Sequence, residues 1–178
     1  MSTNLSKATI LFHWVTGLLF LAVLGLGLYI EDLPRGPEKF ELLGTHKSLG
    51  IIVLFIATAR IFWRLKEGQI SSVSKLKKWQ EILSKVIHFL LLLATIAMPI
   101  SGLMMNIGGD RATDVFGVVL IPATEKIEWL SSLGNFIHVQ SINIIIAALA
   151  LHILAALKHQ FIDKDGSITR ILSLRKSK

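Results

Sequence analysis

Four apolar runs dominate the pattern of hydrophobic and polar positions: Ala8 to Ile30, His46 to Leu65, Ile82 to Met105 and Phe136 to His159. None alternates polar with apolar residues as a barrel strand does. At 1.5 Å per residue each is long enough to cross a hydrocarbon layer of roughly 30 Å as a helix. The pattern predicts an all-α chain, an integral membrane four-helix bundle in a single domain, residues 1–178, with spans at approximately 8–30, 46–65, 82–105 and 136–159. Pro34 to Pro37 breaks the first connection. Gly108-Gly109-Asp110 opens a longer one that reaches about Ser131, in which Ile127 to Leu130 is expected to lie along the membrane interface. Pro99 and Gly102 interrupt the third run, which predicts a kink near Pro99.

Composition agrees with the pattern. The chain is 52% hydrophobic and 17% charged, with a mean hydropathy of +0.62, too apolar for an ordinary soluble domain. The first run follows Lys7, is too long for a signal-peptide core and ends without a small-x-small cleavage pattern, so it is expected to be retained. Absence of cysteine removes disulfides, iron–sulfur clusters, thiolate-ligated haem and covalent haem attachment. Any haem must be b-type.

Charge predicts the orientation. Fourteen of the 19 Lys and Arg residues lie in the amino tail, the Arg60 to Lys85 connection and the carboxyl tail, which places both termini in the cytoplasm. The other two connections carry five basic and eight acidic residues, a balance of −3. The overall net charge of +7 thus has a membrane explanation, no nucleic-acid motif competes for it, and nucleic acid is not an expected partner.

The histidines carry the candidate chemistry. His138 and His152 are fourteen residues apart in the fourth run, which returns them to within about 40° of one face and separates them by about 21 Å along a helix. Run one is read outward and places His13 roughly 8 Å past the inner boundary, level with His152. Run two is read inward from His46, level with His138 near the outer side. Two bis-histidine pairs result, and His13, His46, His138 and His152 are the candidate axial ligands of two haem b groups. Two imidazoles fill both axial positions of an iron and favour electron transfer over oxygen binding. A lone histidine in an apolar span is as readily a proton-path residue, so a haem-free proton-coupled carrier is the competing class.

Small residues flank the candidates: Gly17, Gly50, Gly134, Ala148, Ala155 and Ala156 either leave room for a flat macrocycle or allow close helix packing. His88 and His159 approach the inner boundary, where each has three open roles: replacing a ligand, bonding a haem propionate or binding a quinone head group. Arg60 follows His46 by fourteen residues and Arg64 lies one turn further, so both reach inner depth as snorkelling arginines or as propionate or quinone contacts.

Taken together, several motifs bring a family into view. They are His13-Trp14, His46-Lys-Ser-Leu-Gly50 with Arg60-Ile-Phe-Trp-Arg64-Leu65, His88 with Pro99-Ile-Ser-Gly102-Leu-Met104, and His138 followed by Leu151-His152 through His159 and the basic tail. With them the chain resembles, over essentially its full length, the bacterial cytochrome b561 family of four-helix dihaem proteins of the superoxide:ubiquinone oxidoreductase type. The resemblance implies ligation by His13 with His152 and by His46 with His138, a place in the bacterial inner membrane, and ubiquinone as the membrane partner. The expected activity is an oxidoreductase that takes electrons from a periplasmic-side donor, superoxide being favoured, and passes them to ubiquinone near His159, His88 and Arg60. Lys47, Arg111, Lys126, Arg35 and Lys39 are the residues available for a locally basic approach to the outer pair. The alternative is a haem anchor or electron carrier for a separate dehydrogenase, hydrogenase or periplasmic redox protein.

Overall fold

The computed structural model describes residues 5–68 and 76–172. Lys75 and the carboxyl-terminal residues beyond Leu172, part of the basic inventory above, lie outside the described residues.

Helix α1 (Lys7–Asp32) starts where the Ser6 hydroxyl accepts the Thr9 N–H at 3.1 Å. It stops at Leu33, which the following Pro34 drives into an extended conformation. Helix α2 (Pro37–Glu67) begins on a proline, whose missing N–H is no loss in a first turn, and ends at Gly68 with φ +80°. It therefore starts well before the apolar run that opens at His46, because Glu38 to Thr45 continue the helix as a polar extension.

Helix α3 (Lys78–Gly108) runs unbroken through Pro99. Helix α4 (Glu128–Phe161) also outruns its apolar stretch. Ile127 to Leu130 opens α4 itself: the Ile127 N–H donates to the Gly108 carbonyl at 2.9 Å, the Ile127 carbonyl accepts from Ser131, and the first turn of α4 follows directly. All four helices are long and apolar enough to span a membrane, and together they form a transmembrane four-helix bundle.

Glycine sets the closest helix approach. A Cβ on Gly134 would lie 2.7 Å from the Ser101 carbonyl oxygen and 2.8 Å from the Met104 Cβ, so α3 and α4 touch nearly backbone to backbone there. A core of Phe20, Val23, Val53, Ala94, Met98 and Ile145 draws on every one of the four helices. Large apolar side chains point outward instead, among them Phe55 at 69% and Phe89 at 63% exposure. In water that surface would be a liability; in a bilayer it is the solvent-facing side.

The connection between α3 and α4 holds a hairpin that the hydropathy pattern did not predict. Strands β1 (Thr113–Val115) and β2 (Val118–Ile121) pair antiparallel around Phe116 and Gly117, whose φ values of 49° and 87° are both positive, as a tight two-residue turn requires. A short helix, α5 (Ser167–Leu172), folds back at the opposite end of the bundle, where the Trp14 indole donates to the Ile171 carbonyl at 2.9 Å. The bundle thus has a hairpin end and a terminal end.

Candidate functional site

The structure brings the four histidines together in two pairs. His46 of α2 faces His138 of α4 with ring centres 6.2 Å apart, and His13 of α1 faces His152 of α4 at the same 6.2 Å. Two imidazoles on opposite sides of one metal, each bonded at about 2 Å, place their ring centres about 6 Å apart. Both gaps fit that requirement. Among the described residues no group of three or more His, Asp or Glu could hold a metal ion; a haem held between either pair would supply the remaining ligands itself.

At the hairpin end, His138 is fixed through Nδ1, which lies 3.0 Å from the Met98 carbonyl and 2.9 Å from the Ser101 hydroxyl, while Ser101 itself donates to Met98 at 2.8 Å. Donation from Nδ1 to a carbonyl selects the tautomer that leaves Nε2 with its lone pair toward the gap. The Val23 carbonyl is the backbone acceptor turned toward His46, whose buried Nδ1 closes no hydrogen bond of ordinary geometry.

Glycines shape this pocket, though not all of those singled out in the sequence. A Cβ on Gly27 would come within 2.9 Å of His46 Cε1, and one on Gly102 within 3.5 Å of His138 Cε1. Gly50 also lines this cavity and borders its open space, Gly17 has nothing within 4 Å, and Gly134 is occupied by helix packing. Gly27 carried no sequence signal, because it lies nineteen residues from His46 on another helix.

A largely apolar cavity, open at one side, includes both His46 and His138 in its wall. Lys47 and Asn106 stand at its rim, the Lys47 ammonium donating to Asn106 Oδ1 at 3.2 Å. The buried Asn106 amide also donates to the Ala112 carbonyl and Thr113 hydroxyl, each at 2.8 Å, and so ties β1 to α3. Asn106 was missed in the sequence; its signal was a lone amide at the end of an apolar run.

At the terminal end a third ring joins the pair. His88 of α3 stands edge-on to His152 at 5.1 Å, with its Nδ1 2.7 Å from the Ser84 carbonyl one turn back. Arg60 lies close to both His13 and His152, and Trp14 stands edge-on to His13 at 5.5 Å. Arg64 is engaged elsewhere: its guanidinium pairs with Glu67 at 3.1 Å and donates to the Gly68 carbonyl at 3.0 Å. Glu67 also accepts from the Thr9 hydroxyl, which takes the Trp63 indole N–H at 3.0 Å, so this group latches α2 to α1.

His159 presents its Nδ1 2.9 Å from Asp163 and 3.3 Å from Asp165. Lys158, hydrogen-bonded to Asp163 at 2.5 Å, holds that carboxyl below the usual carboxylate range, so it is ionised beside the imidazole at neutral pH.

Comparison with known proteins places the chain in a family. Residues 4–174 match the model of a family described as prokaryotic cytochrome b561. The chain is 27% identical over 173 residues to cytochrome b561 homolog 1 of Escherichia coli (strain K12), covering 96% of this chain and 98% of that one. Cytochrome b561 homolog 2 of the same organism is 25% identical over 169 residues, 90% of this chain and 87% of the relative. A protein of Yersinia pestis named probable superoxide oxidase CybB is 26% identical over 162 residues, 90% of each. With four spanning helices and imidazoles paired inside them, the chain belongs to the prokaryotic cytochrome b561 family, membrane proteins of electron transport that bind haem b.

Proposed function

We propose that the chain is a dihaem b-type cytochrome that moves electrons across the bacterial inner membrane, from a periplasmic-side donor, superoxide being favoured, to the ubiquinone pool. The observation that carries the reading is the pair of identical 6.2 Å imidazole gaps, served by two histidines of one helix fourteen residues apart. In this reading His46 and His138 hold one haem b, and His13 and His152 hold the other. Bound there, the two haems supply a one-electron relay between the membrane surfaces. The distribution of basic residues supports a cytoplasmic location for the terminal end.

The chain's own residues then do four things. His13, His46, His138 and His152 would hold the two haems, which would supply one-electron transfer there. Met98 and Ser101 orient His138, while Gly27 and Gly102 keep its partner helices clear of the rings. Lys47, at the rim of the outer cavity, offers positive charge where an anionic donor approaches. At the inner surface Arg60 and His88 stand beside the second pair, and His159, backed by ionised Asp163, is suited to hold a proton at Nε2 for a quinone oxygen. The stoichiometry balances: two superoxide anions lose one electron each to become dioxygen, and one quinone takes both electrons with two protons to become quinol.

Superoxide is preferred over a protein donor because a relative with 90% mutual coverage bears the name probable superoxide oxidase. The test is stopped-flow mixing of the oxidised protein with superoxide. Rapid appearance of the reduced b-haem spectrum, abolished by superoxide dismutase, is expected. Haems that dithionite reduces but superoxide does not would replace this donor with a periplasmic redox protein or a linked dehydrogenase.

A further inference from the structure

The hairpin between α3 and α4 carries none of the paired histidines, yet its composition is extreme. Phe116 is 62% exposed, and the whole of β2 follows it: Val118 at 65%, Val119 at 57%, Leu120 at 53% and Ile121 at 37%. Successive strand residues point to opposite faces, so this strand is apolar and uncovered on both. A strand that borders water on one face alternates hydrophobic with polar residues. β2 has no polar face at all.

Its placement tells what covers it. β1 is the inner strand, packed against α2 and α3, and β2 lies outboard as the free edge. The turn is pinned to α2, where the Phe116 N–H donates to the Ser48 hydroxyl at 2.9 Å. Ser48 stands directly before the uninterrupted apolar part of α2 that begins at Leu49, and beside Lys47, whose ammonium reaches Asn106 at the end of α3. The hairpin therefore lies across the bundle at the level where apolar helix surface gives way to polar side chains. Exposed Tyr29 in the last turn of α1 and exposed Trp129 in the first turn of α4 mark the same zone, as amphipathic aromatics do at a membrane boundary.

We infer that β2 is a membrane-interface anchor, its two apolar faces embedded among the lipid chains and head groups of the leaflet at the hairpin end. The occupant is lipid because the strand sits at the polar end of spans whose outer side chains face lipid and carries exposed apolar residues on both of its own faces. The depth is the head-group boundary and not the hydrocarbon centre, since the outboard N–H and C=O groups of an open edge need water or head-group oxygens to bond. The same edge in plain water would invite pairing with another chain. Through Asn106 and Ser48 the anchor also holds β1 over the rim of the cavity beside His46 and His138. The inference rests on the spanning bundle alone and stands whether or not haem occupies that cavity.

The chain contains no cysteine, so a single introduced thiol is unique. Leu120→Cys and, on the other face, Val119→Cys are labelled with a polarity-sensitive fluorophore in the intact protein, reconstituted into phosphatidylcholine vesicles. Glu125→Cys serves as the exposed reference. Expected are blue-shifted emission at both strand positions, quenching by nitroxide lipids labelled near the head-group end of the chain and less by those labelled at the chain terminus. Iodide quenching should be at least roughly three-fold weaker than at Glu125, as for a probe at interfacial depth. Iodide access equal to that of Glu125 without nitroxide quenching would put the strand in water and overturn the inference. Shielding from both quenchers would overturn it in favour of a second copy or a partner protein. Nitroxide quenching at only one of the two positions would equally contradict lipid on both faces.

Discussion

His138 is the most constrained of the candidate ligands, and its environment is specific enough to test. Ser101 is one of two partners of its Nδ1, beside the Met98 carbonyl, so Ser101→Ala leaves the tautomer in place and removes one polar neighbour. Both haems should be retained, and the midpoint potential of one should move by up to roughly 40 mV, the one-electron equivalent of about 1 kcal/mol for a lost hydrogen bond; a redox titration followed optically reads it. Gly27→Leu is harsher, because the added Cβ would come within 2.9 Å of His46 Cε1. It should halve the haem content while leaving the His13–His152 site filled. His159→Ala tests the other surface: both haems should stay bound and reducible while electron delivery to a soluble quinone slows by about 10²-fold or more, as when a positioned proton donor is removed. Loss of a haem in that variant would reassign His159 as a ligand.

Helix positions were legible in the sequence because twenty-residue apolar runs have few other uses. The polar first turns of α2 were not legible, since hydropathy reports the membrane and not the hydrogen-bond ladder. Nor was the hairpin: Val118 to Ile121 lacks the alternation that identifies a strand, and it forms where Phe116 and Gly117 turn and Ser48 docks. The histidine pairing was legible from depth, while the third ring, His88 against His152, needed the packing of α3 on α4. Glycine meanings also divided only in three dimensions. Gly134→Ala should destabilise the bundle by about 1–3 kcal/mol or more as α3 and α4 are forced apart, and Gly17→Ala, which meets no atom within 4 Å, should not. Thermal unfolding of the two variants in detergent compares them directly.

Over the whole molecule the charge asymmetry, the two levels of imidazoles and the outward-facing apolar surface suit the proposed conductor across a membrane, with the basic end expected inside. That orientation predicts that a thiol at Glu125 reacts with a membrane-impermeant reagent in spheroplasts, whereas one at Lys164 reacts only after lysis. The device requires both imidazole gaps to be filled by the same kind of group. The most direct measurement is therefore the haem b content per polypeptide of purified, monodisperse protein, taken with its reduced-minus-oxidised spectrum. Two low-spin b-haems per chain are expected, both lost in a His138→Ala, His152→Ala double variant. A folded protein carrying fewer than two, or none, would contradict the account.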